Sequence, residues 1–171
     1  MIKATTGFSL LELIVVVFLI ALLSTVAILR LGVGQSIVIQ SEARQFSQRL
    51  NLLMDEGLLS GQIYRVVFDI EEQAYEYQRF NNGWNSISEE PFGKKLMPES
   101  VAFEMEVNQD AQENGIESAN NFVIQINSDG TATPFEMRFG ERVKKNLINE
   151  ESSIWLIQGG QSVVLEQEGV E

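Results

Sequence analysis

The feature that most constrains this chain is an apolar stretch close to its first residue. Residues 13–29 are 17 consecutive residues without a charge, and the stretch extended back to Phe8 has 22 residues with a single charge, Glu12. A helix needs about 20 apolar residues to cross a bilayer. The sequence therefore predicts a membrane-spanning helix over residues 8–29.

The charges that flank this helix indicate its orientation. Lys3 is the one cation before the helix, and Arg30 directly follows it. Because cationic residues favour the cytoplasmic side, we expect the amino end inside the cell and the carboxyl end outside it. A cleaved secretory signal peptide ending near Ala27 is the alternative, and its apolar core would be unusually long.

Glu12 is the single charged residue of this stretch, and the need for an apolar helix does not explain its presence. A charge at the centre of a membrane helix costs about 2.5–3.5 kcal/mol, and it costs less near a helix end. Two interpretations are open. Glu12 is an interfacial residue that the positive end of the helix dipole stabilises, or it has a cationic partner that arrives on assembly.

The residues around Glu12 form a pattern that resembles the processing site of type IV pilins and pseudopilins. Gly7 and Phe8 precede Ser9, Leu10, Leu11 and Glu12, and the apolar run follows at once. The resemblance implies that residues 1–7 are a leader, that prepilin peptidase cleaves after Gly7, and that Phe8 becomes the N-methylated new terminus. It also implies that Glu12 guides assembly.

A second helical pattern follows two glycines, Gly32 and Gly34, which favour a bend. We expect the long helix to reach residue 60. Apolar or small residues repeat along it at spacings of three and four, as on one face of an amphipathic helix. These residues are Ala43, Phe46, Leu50, Leu53 and Gly57. Polar residues cover its other sides, namely Ser41, Glu42, Arg44, Gln45, Gln48, Arg49 and Asn51.

The remainder, residues 61–171, has the short alternating runs and turn signals of β-strands. The pattern predicts an α+β fold, in which the long N-terminal helix packs on a C-terminal antiparallel β domain of two sheets. Residues 86–93 and 109–120 are expected to be loops. About seven strands are predicted, over residues 63–70, 75–80, 101–107, 121–126, 135–139, 154–157 and 163–165.

The order of motifs in this β region resembles the H-type minor pseudopilins of type II secretion systems. The motifs are residues 59–61, 64–69, 75–80, 83–84 and 128–135. The resemblance implies a structural subunit near the tip of a periplasmic pseudopilus that drives export of folded proteins across the outer membrane of a Gram-negative bacterium. It implies a single-pass inner-membrane protein. Its partners would be other minor and major pseudopilins, the peptidase and the inner-membrane assembly platform.

Composition and residue spacing argue against catalysis, metal binding and nucleic-acid binding. The chain has no Cys and no His, which excludes disulfides, thiol nucleophiles and histidine-based triads, and its net charge of −12 disfavours nucleic acid. The polar loop residues do not match the spacing of a calcium loop, so we predict no metal and no cofactor. Those residues are Asn108, Asp110, Glu113 and Asn114. The prediction is a protein without enzymatic activity. A minor type IV pilin and, with less support, an anchored periplasmic enzyme stay open as alternatives.

Overall fold

A computed structural model describes residues 10–30, 33–107, 121–144 and 147–168 of the chain. The chain divides into two compact units, with the boundary between Gly34 and Gln35. The described residues form two helices and ten strands. These are α1 (Leu10–Arg30), α2 (Val33–Ser60), β1 (Tyr64–Asp69), β2 (Ala74–Phe80), β3 (Trp84–Ser86), β4 (Lys95–Leu96), β5 (Val101–Val107), β6 (Asn121–Ile126), β7 (Phe135–Lys144), β8 (Leu147–Ile148), β9 (Trp155–Gly159) and β10 (Val164–Gln167).

The helix α1 covers most of the predicted span. Among the residues that the structure describes, no helix combines the length and the hydropathy that a membrane crossing requires. The span predicted for residues 8–29 therefore stays a prediction.

The ten strands form two antiparallel sheets, as the alternation of the sequence predicts. The first sheet has the order β3-β2-β1-β6, and β4 also pairs with β2. The second sheet has the order β10-β9-β7-β5, and β8 also pairs with β7. The α+β fold class with two antiparallel sheets is confirmed.

The prediction of about seven strands was too low, for a physical reason. Two of the additional strands, β4 and β8, have only two residues each, which is too short for any alternation to show. The strand predicted over residues 135–139 continues to Lys144, because its second half pairs with β5 on one side and β8 on the other. Ser86 was assigned to a loop and ends β3. The loop predicted at 109–120 lies outside the described residues.

The helix α2 lies against a core to which both sheets contribute. The ring of Phe46 contacts Phe68 and Tyr75 of the first sheet, at centroid distances of 5.7 and 5.2 Å. The same ring lies 5.9 Å from that of Phe139 in the second sheet. Phe68 also meets Phe103 of β5 at 5.6 Å. One helical side chain therefore joins the two sheets, and edge-to-face pairs of this kind add stability beyond their buried area.

Candidate assembly surface

The predicted processing site is only partly described. Gly7 and Phe8 lie outside the described residues, so cleavage after Gly7 and methylation of Phe8 stay predictions. Glu12 lies in the first turn of α1. A carboxylate there is favoured by the partial positive charge of the helix amino terminus.

The surface around Glu12 is apolar on every side of the helix. Its large apolar side chains are exposed to between 41% (Val16) and 76% (Leu10). They are Leu10, Leu11, Leu13, Ile14, Val15, Val16, Val17, Phe18, Leu19 and Ile20. A helix that is apolar all round is stable when lipid or other apolar helices cover it. Between residues 10 and 29, Glu12 is the one ionisable group that such surroundings would have to accommodate.

The helix α2 is more polar than α1, and the apolar stripe predicted along it is covered. Five other apolar side chains that the structure describes in α2 are exposed, namely Ile37, Val38, Leu52, Leu58 and Leu59. All five residues predicted for the stripe are buried, from Ala43 to Gly57. Its other sides carry the exposed Ser41, Arg44, Gln48 and Asn51. We expect these polar sides, with the exposed Leu52 and Leu59, to face neighbours or solvent.

One residue of that polar set was placed wrongly. Glu42 was predicted on an exposed side of the helix and is only 7% exposed. Its carboxylate pairs with the ammonium of Lys95 on β4, with an Oε2–Nζ distance of 3.2 Å. Because the partner lies 53 residues further along the chain, no local pattern could have revealed the pair.

The largest group of charges in the β region surrounds Arg138 of β7. Its guanidinium pairs with Glu104, Glu150 and Glu168 at 3.7, 2.7 and 3.3 Å. The hydrogen bond to Glu150 is the main reason why the pKa of Arg138 is raised, and the same bond lowers the pKa of Glu150. The cluster joins β5, β7, and the segments before β9 and after β10. It is an ion-pair network without a nucleophile, so we assign it a structural role.

Other cationic and aromatic side chains of the β region are also part of the fold. Arg142 of β7 donates through Nε and Nη2 to the carbonyl of Val101, at 3.1 and 2.6 Å. The guanidinium of Arg65 lies over the ring of Trp84, with its Cζ atom 4.3 Å from the centroid of that ring. Trp155 packs against the main core. None of these arrangements brings a nucleophile to a base.

No set of three or more metal-ligating side chains comes together within the described ranges. The polar loop with Asn108, Asp110, Glu113 and Asn114 lies outside them. Sequence reasoning missed Gln73, a buried residue of the β1–β2 turn whose side chain bonds to β5. Its only local signal is its place at the end of a turn.

Comparisons with known proteins agree with the fold. No family model matches the chain. Type II secretion system protein H of Pseudomonas aeruginosa is 26% identical over 157 residues, which are 82% of this chain and 86% of that protein. The protein of the same name from Vibrio cholerae is 32% identical over 83 residues, 47% of this chain and 43% of that protein.

Solved structures share the fold at low sequence identity. A crystal structure of the minor pseudopilin EpsH from the type II secretion system of Vibrio cholerae has a TM-score of 0.59 at 19% identity, over 78% of this chain and 97% of that one. The solution structure of Escherichia coli GspH has a TM-score of 0.56 at 18% identity, over 81% of this chain and 92% of that one.

The chain therefore shares the fold of a class of solved structures, the minor pseudopilins. Within that class, the protein to which both the sequence and the fold are similar is type II secretion system protein H. The resemblance predicted from the motifs is confirmed.

Proposed function

We propose that the chain is a minor pseudopilin of a type II secretion system. It is a structural subunit near the tip of the periplasmic pseudopilus, the short fibre that drives export of folded proteins across the outer membrane. The observation that carries the proposal is Glu12, a lone carboxylate in the first turn of a helix whose other described side chains are apolar and exposed. The fold and the relatives named above support it.

Maturation is the first step of the proposal. Prepilin peptidase cleaves between Gly7 and Phe8 and methylates the new amino terminus. The apolar residues 8–29 then hold the subunit in the inner membrane, with residues 61–171 in the periplasm. Cleavage creates an ammonium on Phe8, and methylation keeps its charge.

Assembly is the step in which Glu12 acts. A neighbouring subunit, displaced along the fibre axis, presents the ammonium of its own Phe8 to the carboxylate of Glu12. Both groups leave water when the apolar helices pack together, and pairing offsets most of the desolvation cost of each. Their attraction is stronger in these apolar surroundings than at a wet surface. The pair therefore favours one axial displacement over others.

The second unit presents a folded surface to neighbouring subunits. Its ion pairs and hydrogen bonds are structural, and its partners are other minor and major pseudopilins and the inner-membrane platform. The relatives are structural subunits, in keeping with a protein that has no enzymatic role.

A deletion strain tests this proposal against the pilus alternative. Without the chain, exported proteins should accumulate in the periplasm, and the wild-type chain supplied in trans should restore their release. Surface pili and the motility that depends on them should be unchanged. If the deletion abolishes pili and leaves export intact, the chain is a minor type IV pilin and the proposal is wrong.

A further inference from the structure

Gln73 has three properties that seldom occur together. It ends the turn between β1 and β2, its φ is +51°, and only 1% of its surface is exposed. A left-handed backbone costs a residue with a Cβ atom roughly 1–2 kcal/mol. Such a conformation persists where the surrounding contacts hold it in place.

The side chain of Gln73 makes the hydrogen bonds of a peptide group. Its Oε1 accepts from the backbone N–H of Phe103 at 2.9 Å. Its Nε2 donates to the carbonyl of the same residue at 3.4 Å and to the carbonyl of Ile70 at 3.1 Å. The amide of Gln73 therefore bonds to both the backbone N–H and the backbone C=O of Phe103, which point to the same side of β5.

That side of Phe103 is the edge of the second sheet. The strand β5 ends the order β10-β9-β7-β5, with β7 as its one partner strand among the described residues. The unpaired N–H and C=O groups of an edge strand are a template for strand addition. At Phe103 the amide of Gln73 occupies the position that the peptide group of an added strand would take.

The backbone of Gln73 extends the connection. Its carbonyl accepts a hydrogen bond from the N–H of Met97 at 2.9 Å, and Met97 is buried directly after β4. Gln73 thus contacts the first sheet through its own turn, the second sheet through Phe103, and the segment that leads from one sheet to the other. The two bonds to Phe103 are buried, so leaving one of them unmade is costly.

We infer that the side chain of Gln73 caps the edge of β5 by hydrogen bonding and so holds the β1–β2 turn of the first sheet against the second sheet. This role goes beyond the proposed function and does not depend on it. The left-handed turn is what aims the amide at Phe103.

Amide hydrogen exchange of the full-length chain in detergent micelles, measured residue by residue, tests whether Gln73 caps this edge. The variants are Gln73→Asn and Gln73→Gly. Both residues tolerate a positive φ, but asparagine is one methylene too short to reach Phe103 and glycine has no amide. Gln158→Asn is the matched control, because Gln158 is an exposed glutamine of β9 whose side chain donates to the carboxylate of Glu136.

Both Gln73 variants should speed exchange of the Phe103 amide by about tenfold or more. The amides of Ala102 and Glu104, which alternate toward β7, should change much less, and the control should change none of the three. If Phe103 exchanges no faster relative to its two neighbours in both variants, the amide does not close this edge and the inference is wrong. Comparison within one strand separates local opening from a general loss of stability.

Discussion

At the scale of single residues, the proposed role of Glu12 makes assembly depend on the cost of burying one carboxylate. In the first turn of α1 its carboxylate is exposed and near the helix dipole, so the isolated subunit tolerates it. Once apolar surroundings cover the helix, the same group needs a cation. A residue that is acceptable alone and costly when buried without a partner makes packing conditional on that partner.

We predict that Glu12→Leu gives a subunit that is cleaved and stable but enters the fibre poorly. The change removes a desolvation cost from the single subunit and leaves the ammonium of a neighbour's Phe8 without its counter-charge. Breaking one side of a buried ion pair costs about 3–5 kcal/mol. Crosslinking to neighbouring pseudopilins, normalised to the amount of cleaved subunit, measures the loss. Val16→Leu, an apolar change in the same helix, is the control and should crosslink like wild type. Equal crosslinking of the Glu12 variant would make Glu12 an interfacial residue and refute the pairing.

Two neighbouring glycines give a second prediction at this scale. A Cβ atom on Gly159 would lie 2.1 Å from Cε1 of Phe135, a buried core ring, whereas a Cβ atom on Gly160 would meet nothing within 4 Å. Gly159→Ala should therefore lower the free energy of unfolding by about 1–3 kcal/mol. Gly160→Ala should change it by less than about 0.5 kcal/mol. Urea unfolding followed by tryptophan fluorescence measures the free energy of unfolding of both variants. If Gly159→Ala lowers it no more than Gly160→Ala does, the ring of Phe135 moves aside without cost and the prediction is wrong.

At the scale of elements, the sequence predicts what a local period encodes. The stripe on α2 was predicted correctly, because burial of one helix face requires apolar residues at spacings of three and four. The strands β5 and β6 were predicted with their observed bounds. The burial of Glu42 was not predictable, since it depends on Lys95 of a two-residue strand. Gln73 likewise needs Phe103, 30 residues away. Such contacts exist only once the strands have been arranged in space.

The contact between α2 and β2 predicts a dependence on alkaline pH. Burial raises the pKa of Tyr75, with Arg49 of α2 opposing the shift, and burial raises the pKa of Tyr77 further. Both phenols stay neutral in the folded chain while the unfolded chain ionises near pH 10. The stability that they contribute is therefore fully present below about pH 10 and is lost as the pH rises further.

Denaturation of the wild type and of a Tyr75→Phe, Tyr77→Phe double variant, between about pH 8 and pH 11, measures this dependence. The free energy of unfolding of the wild type should fall more steeply with pH than that of the variant. Since other groups also titrate in this range, the difference between the two slopes is the quantity to compare. Identical slopes would show that these phenols are not protected from ionisation by the fold.

At the scale of the whole molecule, the two units differ in the surface that they expose. The first carries an exposed apolar helix with one carboxylate, and the second is a folded body of one helix stripe and two sheets. The sequence shows an abrupt change in hydropathy after residue 29, close to this boundary, and its predicted division into residues 8–60 and 61–171 stays a prediction. It did not predict the order of the strands, which depends on long-range pairing such as that of β1 with β6.

The mass of the mature chain shows directly whether the protein is processed as a prepilin. Full-length protein should be extracted from the membranes of cells that contain the prepilin peptidase and analysed intact by mass spectrometry. We expect a chain that begins at Phe8 and carries one additional methyl group. In cells without the peptidase, the chain should begin at residue 1. A mature chain that begins near residue 28 in both strains would identify a secretory signal peptide and contradict the account.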